Sequence, residues 1–542
     1  MRRLLEPAYA DGVSSPRASV DGDELPNARY VSFAMHPDVK RPAHHITHMV
    51  MQFGQFMDHD IALAPLESDP GHVNLGNPNN PVDCCSPERR TAPECFSIGV
   101  PEGDPFYGQH RETCLNMARS APCSCQLGYR EQRDMLTSFL DCSQVYGNSD
   151  DDTRKLRLGQ GGQLRYQVIH GEELLPRSFH PDRDRCSRLD QGDFCFNAGD
   201  DRVNEHPGLT AMHTLWLRQH NRIARALQYY HGEWDDETLF QQARRIVGAQ
   251  YQHIVYTEWI PLVLGKGTLE NFDLQQKGGF SFYDPAVNPT MLNEFAAAAF
   301  RMGHTLIDGR FTTVDAQGQE TSFLLEDFYF FPFYLYRGQT DDILRGLAKQ
   351  TSQHFDRFVT NGVTENLYRL QNETFGLDLI ALNIQRGRDH GLQPYVYYYH
   401  LCTGRSIETF ADLHNADVMA PENVQYLAAV YKNVKDVDLF TAGTAERSVA
   451  GGVVGPTFAC ILAHQFKKLK FGDRFYYQHA SQAGSFTKDQ LREIQKTTLA
   501  GIICDNTYTV TSIQKNVFVP EDAIRNPEIP CHNLQVPDLT YW

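Results

Sequence analysis

The sequence predicts one large, mainly α domain carrying a few short β-hairpins and several disulfides. Apolar residues recur at helical spacing in many segments, and strand patterns are short and scattered. No internal repeat or low-complexity linker divides the 542 residues.

Residues 1–45 are rich in Pro, Ser, Asp and Gly with little periodicity, so they are expected as an extended arm on a main domain spanning 46–542. A first helix is expected over 43–61, because Ile46, Val50, Phe53 and Met57 share one face; residues 67–122 read as a cysteine-rich loop. Pro207 opens the clearest helix, which runs to about Tyr230. Its proline needs no N–H partner in the first turn, and Leu209, Met212, Leu215, Trp216, Leu217 and Ile223 supply the buried side. Further helices are expected over 238–264, 290–307, 341–349, 376–385 and 488–503, with a strand signal at 508–519. The aromatic run 328–336 reads as packing.

A hydrophobic content of 41% is enough for a large core. The most apolar tract, 451–466, is interrupted by Gly455, Pro456 and His464, so no membrane span is expected. Fifty basic against 67 acidic residues give a net charge of −17 with no long basic run, which argues against nucleic acid as a partner. The 13 cysteines lack the paired CxxC spacings of zinc ribbons and the CxxCH of covalently attached c-type haem, and they read as disulfide formers in an oxidising compartment. The sequon Asn372-Glu373-Thr374 agrees with export as a glycoprotein. Met1-Arg2-Arg3-Leu4-Leu5 has the charge of a signal peptide, but Glu6 and Pro7 cut off its apolar region. A start that lacks its leader is favoured over a chain that stays inside the cell.

On a helix through Gln52 to Asp60, Gln55 and His59 share a face, Asp58 lies close to it and Asp60 turns away. A histidine between two carboxylates suits a proton shuttle, a metal site or a solvated helix end. From Thr137 to Ser143 oxygens fall at alternate positions. In an extended loop Thr137, the Phe139 carbonyl, Asp141 and Ser143 would face one side, as calcium requires, although such loops more often make plain turns. Arg202 and Glu205 precede the Pro207 helix, where they either enter a pocket or form a surface ion pair of little value. His304 follows Arg301 and the small residues Ala296 to Ala299, which let a flat group approach; a lone helical histidine is more often part of the core. Asn383 stands beside the cationic Arg386 and Arg388, a cluster that binds a carboxylate or is a solvated helix end. His44, His45 and His48 offer two imidazoles four residues apart, as zinc hydrolases do. No glutamate follows His44 to act as the base, so zinc hydrolysis is the weaker rival.

These segments occur together, in this order, in one family. The chain resembles the animal haem peroxidases, such as myeloperoxidase, peroxidasin and peroxinectin, and is most similar to the invertebrate peroxinectin and chorion-peroxidase branch. The likeness runs from about Leu4 to Trp542, and five ordered motifs are specific together where each alone is weak. It implies a helical haem-peroxidase domain that reduces hydrogen peroxide and, through a ferryl haem, oxidises halides, thiocyanate or phenols such as tyrosine and catechols.

The resemblance further implies that His59 is the distal histidine, Gln55 lies on the halide side of the distal pocket and Arg202 is the distal arginine. His304 would be the iron ligand, held by Asn383, with Arg301 and Arg386 near the propionates. Asp58 and Glu205 match the carboxylates that form ester bonds to haem b in the family. Asp60, Thr137, Phe139, Asp141 and Ser143 would surround calcium. Family spacing implies the disulfides Cys84–Cys95, Cys85–Cys114, Cys186–Cys195, Cys402–Cys460 and Cys504–Cys531. Cys123, Cys125 and Cys142 are left over, one of them a candidate for joining a homodimer. The family is secreted behind a signal peptide.

Two departures carry expectations. His206 stands where myeloperoxidase has a methionine bonded to a haem vinyl group, so chloride oxidation should be weak and bromide, iodide, thiocyanate or phenols better donors. Cys142 sits inside the calcium loop, where a small non-cysteine residue is commoner. An adhesive role, as in peroxinectins, ranks second because the chain has neither RGD nor KGD. Cross-linking of an extracellular matrix or eggshell partner falls within the same enzyme class.

Overall fold

The computed structural model describes residues 1–67, 82–123, 127–181 and 184–542. The fold is mainly helical, and its strands pair in separate two-stranded sheets. At the centre stands the expected helix Pro207–Tyr230, with proline in the first turn and an apolar side buried along its length. It packs against the helices Met49–Ile61, Asp236–Ile254, Thr340–Lys349 and Leu499–Asn506. One continuous apolar cluster extends from Ala28 to Leu539.

Several expected elements are redrawn by tertiary contacts. Residues 43–61 are not one helix: Pro42–Thr47 is a strand antiparallel to Thr351–Gln353, and the helix begins only at Met49. The Thr47 N–H and hydroxyl bond to the carbonyls of Phe518 and Val517, which holds this stretch extended despite its helical apolar spacing. The arm is not free of helix either. Ala28–Met35 is helical, its start capped by the Asn27 side chain, and buried Arg29 ties it to Asp104 at 2.8 Å and Asp378 at 2.7 Å. Residues 290–307 break at Ala298 (φ −139°, ψ −67°) into the short helix Asn293–Ala297 and the tighter 3-10 segment Ala299–Leu306. Residues 488–503 split into Lys488–Ile494 and Leu499–Asn506, each opened by a threonine cap, Thr487 and Thr498. The strand signal at 508–519 reduces to Ser512–Gln514, paired with Glu528–Pro530.

Helices Thr340–Lys349 and Leu379–Asp389 lie near their expected places, and the apolar tract after Gly455 is the helix Pro456–Phe471. The expected helix 238–264 runs as Asp236–Ile254 through the π-turn Val255–Trp259 into Ile260–Asn271. That wider turn delivers Trp259 to the back of the Met49–Ile61 helix, where its ring Nε1 donates to the Val50 carbonyl at 2.9 Å. Among the described residues no helix is long and apolar enough to cross a membrane.

The five disulfides present are the five pairs implied by family spacing. Cys125 lies outside the described residues. Cys123 is half-buried and has no disulfide partner among the described residues, whereas Cys142 is fully buried, which removes it as a bridge to a second chain. The zinc rival loses its geometry. His44 and His45 are exposed on the strand, while His48 is buried and its Nε2 accepts the Asp308 N–H at 3.2 Å.

Candidate active site

The Met49–Ile61 helix carries four of the expected site residues, and its backbone sends Gln55, Asp58 and His59 to one side and Asp60 to the other. His59 is 4% exposed; its Nδ1 lies 3.7 Å from Asp200 and has no hydrogen-bond partner. Burial, reinforced by the nearby Arg202, holds its pKa well below that of an ordinary imidazole, so the ring is a neutral base.

Arg202 is clamped by Asp200, whose two carboxylate oxygens accept from Nε at 2.8 Å and Nη2 at 2.9 Å. Its Nη1 donates to the Ala62 carbonyl at 3.3 Å and lies 3.8 Å from Asp58. Burial alone would push the Asp200 carboxyl up, but the guanidinium over-compensates and holds it well below the usual carboxylate range. Asp200 therefore keeps Arg202 charged and immobile beside His59. The preceding Gly199 has no room for a side chain: a Cβ there would lie 2.4 Å from the Ser143 carbonyl and 2.5 Å from the Gly147 nitrogen. The arginine loop is thus pressed against the Thr137–Ser143 loop.

Gln55 donates from Nε2 to Glu205 at 3.2 Å, and its Oε1 lies 2.8 Å from His206 Nε2. Burial pushes the Asp58 carboxyl up to about 6, tempered by Arg202 and Arg301, and pushes Glu205 up to about 7, tempered by Arg202. Both carboxyls thus stay partly protonated near neutrality.

The second half of the site comes from the Ala299–Leu306 segment, which packs on the Met49–Ile61 helix. His304 is half-buried, and its Nδ1 meets the Asn383 amide at 2.7 Å. Burial, then Arg301, pushes its pKa down to about 3, so it too is neutral, as a metal-ligating imidazole must be. Among the described residues no hydrogen bond engages its Nε2. The Asn383 nitrogen Nδ2 faces the ring while its Oδ1 faces Arg301, so Nδ1 accepts in this arrangement; a ligand to iron through Nε2 would carry its proton on Nδ1, and the amide would then have to turn its oxygen to the ring. Arg301 donates to Asn383 Oδ1 at 2.5 Å and to the Ala296 carbonyl at 3.1 Å, and among the described residues it forms no ion pair. Burial and the neighbouring Arg386 push its pKa down to about 10, which marks an excess of positive charge able to receive anionic groups. Arg386 donates to the Ala118 carbonyl and to Asp389.

All five residues expected around calcium converge. Asp60 is fully buried; one carboxylate oxygen accepts the Ser143 N–H at 2.6 Å and hydroxyl at 2.8 Å. Thr137 donates to Asp141 at 3.0 Å and lies 3.4 Å from the Phe139 carbonyl. Two carboxylates, a carbonyl and two hydroxyls, with Asp60 and Ser143 buried and the others half-buried, form a hard-oxygen donor set that suits a divalent cation.

The sequence reading missed Asp200 and Tyr368. Asp200 was visible as a carboxylate two positions before Arg202, but a loop contact of this kind has no periodic signal. Tyr368 faces Glu205, Arg202 and Arg185 from a backbone at φ 61°, and nothing in its sequence neighbourhood announces it.

The neutral histidines, the clamped arginine and the two arginines near Asn383 define a class of enzyme. Residues 1–518 match the family model for animal haem peroxidase. The chain is 38% identical over 557 residues to a peroxidase of Drosophila melanogaster, covering 100% of this chain and 79% of that protein. It is 39% identical over 559 residues to the chorion peroxidase of the same fly, covering 99% and 67%. Among solved structures it is similar to peroxidase A of Dictyostelium discoideum, with a TM-score of 0.78 and 27% identity over 95% of this chain and 94% of that one. The chain belongs to the animal haem peroxidases. It is a peroxidase, with haem as its cofactor and hydrogen peroxide and a reducing donor as its substrates.

Proposed function

We propose that haem b binds between His59 and His304, and that halides, thiocyanate or phenols are the donors. The observation that carries this reading is the pairing of a neutral, buried His59 with a charge-locked Arg202 on one side and an amide-tethered neutral His304 on the other. His304 would hold the iron, Asn383 would fix its ring, and Arg301 and Arg386 would meet the propionates. Haem supplies the redox chemistry that cleaves the O–O bond. His59 takes the proton from one peroxide oxygen and returns it to the other, while Arg202 stabilises the charge that develops on the departing oxygen. Asn383 adds no negative charge to the His304 imidazole, which leaves a stronger oxidant than a carboxylate partner would.

Calcium would sit among Asp60, Thr137, Phe139, Asp141 and Ser143 and tie the distal helix to the following loop. Residues 46–542 would form the catalytic domain under the arm 1–45. The five disulfides support a secreted enzyme, whose neighbours would be matrix or eggshell proteins. Adhesion is not favoured by the family assignment.

The test is an absorption spectrum of the purified protein before and after one equivalent of hydrogen peroxide. A Soret band that shifts with peroxide, and is lost in His304→Ala, is the expected result. A colourless protein made with ample haem would refute the reading.

Asp58 and Glu205 lead to a second expectation. After several turnovers haem should resist extraction into acidified butanone, and it should be released when Asp58→Asn and Glu205→Gln are combined. Full extraction from the unaltered protein would rule out the ester bonds.

A further inference from the structure

The hydrogen bonds around Gln55 have a direction. Its Oε1 faces two nitrogens, His206 Nε2 at 2.8 Å and Gln52 Nε2 at 3.2 Å, while its Nε2 faces the Glu205 carboxyl oxygen at 3.2 Å. His206 is 4% exposed, and burial, with the nearby His48, pushes its pKa down to about 3, so the ring carries one proton. That proton must be on Nε2 for the ring to meet the Gln55 oxygen. Its Nδ1 has no partner, so Gln55 is the one polar tie of this ring among the described residues. The ring is seated tightly: a Cβ on Gly208 would lie 3.2 Å from its Cε1 and 2.6 Å from Gln52 Oε1, and Phe311 packs at a ring separation of 5.4 Å.

An amide that is free to turn presents its oxygen and its nitrogen to a cavity interchangeably. Here the oxygen is held by His206 and Gln52, which leaves the NH2 as the free end of this half-buried side chain. One of its two hydrogens goes to Glu205; among the described residues the second has no acceptor. An N–H aimed at a cavity attracts an anion, whereas a carbonyl oxygen repels one.

We propose that His206 is a specificity-determining positioning residue: by donating to Gln55 Oε1 it keeps the Gln55 NH2 turned to the cavity, and so selects small anionic donors over neutral phenols. The inference rests on the reading that Gln55 lines the peroxide-side cavity.

The test uses the haem-loaded full chain, with bromide as the probe. His206→Leu and His206→Phe both lack an N–H, so either one that folds serves; His206→Gln retains an N–H. Bromide affinity is read from the ferric absorption spectrum, and selectivity from the ratio of kcat/KM for bromide to that for guaiacol. Loss of one hydrogen bond of ordinary strength is expected to raise the bromide Kd and lower the selectivity ratio by about fivefold to tenfold. His206→Gln should restore most of both. An unchanged Kd in the Leu and Phe variants overturns the proposal. So does a His206→Gln protein as poor as they are, because ring packing and not donation would then be at work. A wild-type protein without a Soret band would instead bring down the underlying assignment of the site, an outcome told apart from the others before any bromide is added.

Discussion

Replacing His59 with leucine is expected to slow the reaction with hydrogen peroxide by about three orders of magnitude, while haem is still bound. A positioned proton-transfer group contributes about 10²- to 10⁴-fold, and His59 serves both oxygens of the substrate. The ring is buried, held neutral by its surroundings and free of protein hydrogen bonds at Nδ1, so it has no evident structural duty that the substitution would also remove. Arg202→Leu should cost about 10²- to 10³-fold, the usual loss when a preorganised charge partner is removed. Arg202→Lys should recover little, since a lysine cannot receive the two-point grip of Asp200. The pair of substitutions should cost less than the product of the single ones, because both groups act on one transition state. Stopped-flow absorption at the Soret band gives the second-order rate for each variant. A His59→Leu protein within tenfold of the wild-type rate would show that the proton is moved elsewhere.

If calcium binds at Asp60 and Asp141 as proposed, the next largest effect is expected from stripping it. Asp60 and Asp141 share the hydrogen bonds of the Ser143 N–H, and burial pushes both carboxyls up, so a divalent cation between them would offset a cost that the fold otherwise bears. A cation that binds only the folded chain stabilises it by about 4 kcal/mol when its free concentration exceeds Kd a thousandfold. Chelation should therefore lower the unfolding midpoint and also slow the peroxide reaction, because Asp60 directly follows His59. Asp141→Ala should reproduce both losses without chelator. Elemental analysis with no bound calcium, together with identical melting curves with and without chelator, would sink the assignment.

What could be read from the sequence divides along physical lines. The Pro207–Tyr230 helix was legible because its first-turn proline and apolar stripe are local. The shared face of Gln55 and His59, with Asp60 opposed, followed from helix geometry alone; the oxygens of the Thr137 loop come together by bends and a left-handed Cys142 (φ 62°), not by the extended alternation expected. The strand Pro42–Thr47 was not legible, since its partner Thr351–Gln353 lies about 300 residues away and the apolar spacing around Ile46 mimics a helix. The break at Ala298 and the grip of Asp200 on Arg202 were hidden for the same reason: they are settled by what packs beside them. Resemblance to a family supplied the roles of His304 and Asn383, which residue types alone left open, and the structure added the direction of the Gln55 amide, which neither could show.

The contact at Gly199 would couple an anion on Arg202 to a cation held by the Thr137–Ser143 loop. The backbone leading to Arg202 rests on the backbone that shapes the cation cage, with no side chain between them to absorb a shift. If filling the cage moves that floor, it changes the affinity of an anion held by Arg202, and by thermodynamic reciprocity the anion changes the affinity of the cage by the same factor. A cyanide or azide complex of the enzyme should then give up calcium to a chelator at a different free concentration from the resting enzyme. The sign of that difference would tell which way the glycine leans.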